Sequence, residues 1–333
     1  MRVSGFLAAA ALSLSVPAAG QGEVAATPPQ AWALPDRELM VAVEGGRVWV
    51  GVNGDVSAKA PPVVFIHGGP GGTHLSFGGM TALADERAVI VYDQLDSGMS
   101  DHPGDPRNWR VERFVSELEA IRAKLGIEKW HLVGHSWGAA IALEYSAAHP
   151  GRVVSTVLGG TFISTPHWLL GTRLLIRDLP LETQSVIAAC ESPNRPSAAI
   201  CANADNAFYA EFNGRPDRPA RPPAASVYRE RTAGKGNNSI LYNAMWGRSE
   251  FVSTGTLKSY DGSPLLAKLD GKRTLFLIGQ YDEAHLDIVR SYVRLTPGSE
   301  LAVVPGGSHA YFGERPVEAE GLLRGWLARK DPE

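Results

Sequence analysis

The chain has 333 residues, 44% of them hydrophobic and 20% charged, enough apolar material for one large core or a core with a smaller lobe. That mixture excludes a disordered chain, and the shortage of long apolar runs excludes a multi-span membrane protein. Lys and Arg total 32 against 35 Asp and Glu, a net charge of −3, so no basic surplus exists to neutralise phosphates and nucleic acid is not an expected partner.

Residues 1–20 read MRVSGFLAAAALSLSVPAAG. One Arg, a uniformly apolar stretch and then small residues at Ala18, Ala19 and Gly20 form the pattern of a secretory leader. The run is too short for a spanning helix. The expectation is therefore an exported protein, periplasmic or secreted, with no membrane attachment after the leader is removed. Export bears on Cys190 and Cys201, the only two cysteines. In an oxidising compartment they can close a small loop, the alternative being two unpaired buried thiols. No Cys/His spacing for structural zinc is present.

Beyond a Pro-containing lead, Leu39–Glu44 and Arg47–Asn53 flank Gly45-Gly46 and read as a hairpin. Val63–His67 and Ala88–Asp93 are apolar up to their last residue, in the way of strands buried on both faces, with a helix expected over Leu75–Ala84 between them. Residues 111–125 carry a helical period, Trp130–Val133 is a strand, and Ala139–Ala148 a helix stopped by His149-Pro150. Val153–Leu158 is a further strand. From 165 to 262 the character changes: a helix through Leu169–Ile176, then Pro- and Arg-rich stretches, several aromatics and both cysteines. This segment reads as an inserted helical cap. Alternation then resumes with a strand at Thr274–Gly279, a helix at Ile288–Leu295, a strand at Leu301–Val304 and a closing helix at Val317–Arg329. Such alternation predicts an α/β core of residues 21–164 and 263–333 around a mostly parallel sheet, with its chemistry beyond the carboxyl ends of the strands.

Gly134-His135-Ser136-Trp137-Gly138 follows a strand and opens a helix, the setting of a nucleophile elbow whose Ser Oγ projects into the cleft. A hydroxyl needs a base to take its proton. In this arrangement an acid and then a His follow on later strands. Asp282 leaves the strand TLFLIG directly, with Asp287 and Asp270 as competitors. His309 leaves the strand LAVV behind two glycines, and His285 is its nearest rival. The loop His67-Gly68-Gly69-Pro70-Gly71-Gly72 follows another strand and matches neither phosphate-binding glycine pattern. Its Gly69 N–H, with the N–H of Trp137, is the expected oxyanion hole.

Together HGGPGG (67–72), VYDQLDSGMS (91–100), LVGHSWGAAIALEY (132–145), MWGRSEF (245–251), GQYDEA (279–284) and GGSH (306–309) resemble the proline iminopeptidases of the α/β-hydrolase superfamily. The resemblance implies that fold, with a Ser136–Asp282–His309 triad. It further implies that Glu250 and Glu283 hold the free α-amino group of the substrate. Two carboxylates in a closed pocket repel one another and are penalised by desolvation, and a cationic amine relieves both. The chain departs from the family pattern at Asp96, where Gly is usual, at Met99, where a basic residue is usual, and at Arg248, where Pro is common.

The leading expectation is an exported serine aminopeptidase that releases an N-terminal residue, proline by resemblance, from short peptides or amino-acyl amides. Other readings are an amino-acid amidase or small-molecule esterase of the same fold, and a catalytically silent relative that binds a ligand. Ser136 at the nucleophile position excludes dehalogenase and epoxide hydrolase chemistry, which need Asp there. No metal or organic cofactor is implied, and nothing in the sequence fixes the oligomeric state.

Overall fold

The computed structural model describes residues 32–332, and the leader expected over 1–20 lies outside the described residues. The hairpin forms as β1 (Arg37–Val43) and β2 (Gly46–Asn53), antiparallel, with Val43 opposite Gly46. The apolar runs become β3 (Val63–Ile66), β4 (Val89–Tyr92), β5 (Trp130–His135), β6 (Val153–Gly159) and β7 (Thr274–Gly279), in which every residue is buried. β8 (Glu300–Val304) closes the far edge. Among the described residues these make one eight-stranded sheet ordered β1-β2-β4-β3-β5-β6-β7-β8. Only β2 runs against its neighbours; the remaining pairings are parallel.

Strand periodicity splits the core in two. Val64, Ile66, Leu132, Leu158, Phe276 and Ile278 pack on one face, against α1 (Val111–Leu125), α2 (Trp137–Ala148) and a helix that follows β7. Val63, Phe65, Val133, Val157, Leu275 and Leu277 pack on the other, with Phe77, Phe312 and Trp326. Alternate residues serve opposite faces because successive side chains point to opposite sides of a strand.

Between β6 and β7 the chain runs through α3 (Thr165–Ile176), α4 (Leu181–Cys190), α5 (Ala198–Phe212), α6 (Pro223–Arg231) and α7 (Ser239–Met245). Leu175, Ile187, Phe208, Phe212 and Phe251 give this segment a small core of its own. Cys190, the last residue of α4, is joined to Cys201 of α5 in a disulfide with a Cα–Cα distance of 5.7 Å. After β7 come α8 (Leu286–Leu295), the short α9 (Tyr311–Glu314) and α10 (Pro316–Lys330).

Two local expectations need correction. The helix expected over 75–84 is a succession of 3₁₀ turns over His74–Asp85. Its Gly78-Gly79 pair disfavours α-helix, and Gly78 lies so close to Trp32 that a Cβ would come within 2.1 Å of the ring. The helix expected from Ala139 starts at Trp137, immediately after Ser136.

Candidate active site

β3 and β5 are parallel neighbours with Ile66 opposite Gly134, so the loops after them emerge side by side. Chain order reverses here, β4 lying to one side of β3 and β5 to the other, which opens a crevice at the strand ends. Ser136 sits at the joint between β5 and α2 with φ 57° and ψ −125°, a sparsely populated conformation for a non-glycine residue. The flanking glycines are dictated by contact: a Cβ at Gly134 would fall 2.2 Å from the Gly138 carbonyl oxygen, and one at Gly138 2.0 Å from that of Ile66. A Cβ at Gly68 would likewise come within 2.7 Å of Ser136 Cβ, so the glycine-rich loop packs directly on the elbow.

The N–H groups of Gly69 and Trp137 have no hydrogen-bond partner among the described residues. For Trp137 the cause is its place as first helical residue, where no intrahelical acceptor exists. The two segments are tied together by the wholly buried Gln94. Its backbone N–H donates to His67 Nε2 at 3.0 Å, its side-chain amide donates to the His67 carbonyl at 2.8 Å, and its Oε1 accepts from Trp137 Nε1 at 3.0 Å. Neighbouring Asp93, also buried, accepts from the N–H groups of His74 and Met99 at 2.8 and 2.7 Å. At Asp96 the backbone takes φ 65°, the left-handed region. There its carboxylate accepts from Gly104 N–H at 2.7 Å and Trp109 Nε1 at 2.8 Å, so local hydrogen bonds stabilise a conformation that glycine would adopt freely. Arg248, the departure that lies in the cap, pairs with Asp205 of α5 at 3.1 Å.

Asp282 and His309 lie beyond β7 and β8. Asp282 is oriented by two backbone donors, Gly279 N–H at 3.0 Å and Ala284 N–H at 2.9 Å, and its Oδ1 accepts from His309 Nδ1 at 2.7 Å. The rivals are engaged elsewhere: Asp287 pairs with Arg290, Asp270 caps a short 3₁₀ turn, and His285 caps α8. His309 Nε2 lies 3.4 Å from Glu283 Oε1, and no hydrogen bond joins it to Ser136 Oγ among the described residues. Burial alone pushes this imidazole down, but the carboxylates of Glu283, Asp282 and Glu250 outweigh it and raise the pKa to about 9.

Glu283 is 2% exposed. Its Oε1 accepts from Asn213 Nδ2 at 2.8 Å, while its Oε2 has no hydrogen-bond partner among the described residues. Glu250 accepts from the Tyr242 hydroxyl and, at 3.1 Å, from Trp168 Nε1. Burial raises the pKa of both carboxyls, and for Glu283 the nearby Glu250 and Asp282 raise it further. Ser136, His309, Glu250, Glu283 and Gly69 line one cavity of about 750 Å³.

Several contributors have no counterpart among the sequence candidates. Phe212, at the end of α5, offers its carbonyl oxygen to the N–H of Glu283 at 3.1 Å and to the N–H of His309 at 2.9 Å; Asn213 offers its own to Ala310 N–H at 3.0 Å. Carbonyls at a helix C-terminus lack intrahelical partners, and here the loops after β7 and β8 supply them. The His135 ring lies against that of His309, tilted by 42° with centroids 4.5 Å apart, and donates from Nε2 to the His309 carbonyl at 2.8 Å. Burial, then the like charge of His309, lowers its pKa to about 3, so it stays neutral. Gly160 completes the support: with φ 46°, a Cβ there would come within 2.7 Å of both the His135 and His309 rings. Gln94 lay within the motif VYDQ, whereas Asn213, Tyr242 and Trp168 belong to no local pattern. Among the described residues no helix is long and apolar enough to cross a membrane, and no group of three or more His, Cys, Asp or Glu could hold a metal ion.

Residues 61–316 match the family model described as "alpha/beta hydrolase fold". A curated proline iminopeptidase of Heyndrickxia coagulans is 34% identical over 290 residues, covering 87% of this chain and 98% of that protein. One from Levilactobacillus brevis is 30% identical over 283 residues, covering 84% and 92%. Among solved structures, the proline iminopeptidase of Mycobacterium smegmatis superposes with a TM-score of 0.77 at 28% identity, covering 89% of this chain and 99% of that one. The chain is a serine hydrolase of the α/β-hydrolase fold and belongs to the proline iminopeptidase family.

Proposed function

We propose that the protein is an exported aminopeptidase that releases an N-terminal residue, proline in the first instance, from short peptides or amino-acyl amides. The observation that carries this reading is the pair Glu250 and Glu283 in the same cavity as Ser136 and His309, with Glu283 Oε2 buried and lacking a donor. An unpaired buried carboxylate oxygen is costly. The ammonium of a free N-terminus supplies the missing donors and the missing charge, and a blocked N-terminus supplies neither. The leader pattern over 1–20 and the Cys190–Cys201 disulfide support export.

In the reaction His309 Nε2 takes the proton from Ser136 Oγ as Oγ attacks the carbonyl carbon of the first residue. Asp282 fixes the imidazole through Nδ1 and stabilises the imidazolium. The tetrahedral oxyanion accepts hydrogen bonds from the N–H groups of Gly69 and Trp137, each worth about 3 kcal/mol in the transition state. Collapse breaks the C–N bond, and His309 passes its proton to the departing amine. Water, deprotonated by the same imidazole, then cleaves the acyl ester and restores Ser136.

The test compares proline β-naphthylamide with its N-acetylated form, on wild type and on Glu250→Gln. Strong preference for the free amine, reduced by the substitution, is expected. Equal turnover of both substrates refutes amine anchoring. Simple acyl esters cleaved far faster than amino-acyl amides, with no effect of Glu250→Gln, would identify an amidase or esterase instead. Failure of a fluorophosphonate to label Ser136 in folded protein would identify a silent ligand-binding relative.

A further inference from the structure

The cap carries an uneven distribution of paired and unpaired arginines. Arg215 is engaged by Glu211 at 3.2 Å and by Asp217, and Arg231 pairs with Glu38 at 2.6 Å. Arg218, Arg221 and Arg229 have no ion-pair partner among the described residues, and all three line the cavity that holds Ser136. Arg215, Arg231 and Arg248, each with an acidic partner, lie outside that lining, as do Arg173, Arg177 and Arg195, which have no ion-pair partner among the described residues. Glu250 and Glu283 are the acidic residues of the same wall.

The two signs are also separated in depth. Glu283 is buried and Glu250 half-buried, whereas Arg218, Arg221 and Arg229 are exposed. The two carboxyls are thus the less exposed charged members of the lining and the three guanidiniums the exposed ones. Unpaired guanidiniums of one sign reinforce each other's potential and attract an anion, and a guanidinium presents a fork that matches a carboxylate. If the amine is held inside, the part of the peptide beyond the scissile bond extends outward, toward these arginines.

We propose that Arg218, Arg221 and Arg229 form a carboxylate-binding mouth, and that the preferred substrates are short peptides whose free C-terminal carboxylate reaches it. This deepens the aminopeptidase reading and rests on it. A peptide with both termini free then matches the cavity at its two ends, and the mouth favours short chains because the carboxylate must arrive within reach of the guanidiniums.

The experiment measures kcat/KM for Pro-Gly, Pro-Gly-Gly and Pro-Gly-Gly-Gly as acids and as C-terminal amides, with proline β-naphthylamide as a carboxylate-free reference. In wild type at low salt, at least one acid is expected to exceed its amide by about tenfold, the scale of a few exposed charge pairs. Screening by 0.5 M salt should shrink that ratio, and the triple substitution Arg218→Gln, Arg221→Gln, Arg229→Gln should bring it close to one. Because the ratio compares two substrates on one protein, differences in folded fraction cancel. Equal rates for acid and amide in wild type, or a ratio that survives the triple substitution, overturns the proposal. Turnover of the arylamide without acid preference defeats this proposal alone; no turnover of arylamide or peptides defeats the aminopeptidase reading beneath it.

Discussion

Glu283 Oε1 lies 3.4 Å from His309 Nε2, the imidazole nitrogen that the proposed mechanism needs for Ser136. An ammonium arriving between Glu250 and Glu283 would compete for the same oxygen. Glu283→Gln keeps the shape and removes the charge. An NMR titration of the free enzyme is expected to show the His309 pKa falling from about 9 toward the ordinary value of 6.5. An unchanged pKa in the variant would show that Glu283 does not govern the base. The sign for stability follows: the raised pKa favours the protonated fold, so this contribution is complete below about pH 6.5 and is lost as pH rises through about 9.

Asp282 holds Nδ1 of the base and is itself held by two backbone N–H groups. Asp282→Asn should retain the fold and lower kcat on proline β-naphthylamide by about 10⁴-fold, because the amide favours the wrong imidazole tautomer. Ser136→Ala should lose turnover and fluorophosphonate labelling together. Substantial activity in Asp282→Asn would move the orienting role to another carboxylate.

Gly160 touches no substrate in this scheme, yet a methyl group there would overlap the rings of His135 and His309. Its φ of 46° adds backbone strain to any side chain. Gly160→Ala should lower kcat by about 10²-fold, the scale of a displacement near 1 Å at the base. Slower fluorophosphonate labelling of Ser136 at unchanged circular dichroism would report the same shift. Wild-type kinetics in this variant would mean that the ring can move without loss.

The Cys190–Cys201 disulfide joins α4 to α5 across a sequence separation of 11 residues. For a loop of this size, removal by Cys190→Ser with Cys201→Ser should destabilise by about 3 kcal/mol. Urea melts followed by cap and core probes should show the cap transition moving to lower denaturant. Coincident, unshifted transitions would deny the bond any stabilising part.

The parallel strands were legible because a strand buried on both faces is predominantly apolar, as Val63–Ile66 and Leu275–Ile278 are. The places of Ser136, Asp282 and His309 were legible because each follows a strand of the sheet within a few residues. The partners of the glutamates were not. Asn213, Tyr242 and Trp168 come from the end of α5, from α7 and from α3, and nothing local to any of these segments marks a side chain that meets its acceptor only in the folded cap. The helix expected over 75–84 failed for a different reason: two adjacent glycines and the Trp32 ring select tighter turns.

The Phe212 carbonyl serves both residue 283 and residue 309. One oxygen thereby rivets the insertion to the two loops that carry Glu283 and His309. Swinging the insertion away from the sheet would break both hydrogen bonds, so any such opening is coupled to the backbone that carries these two residues.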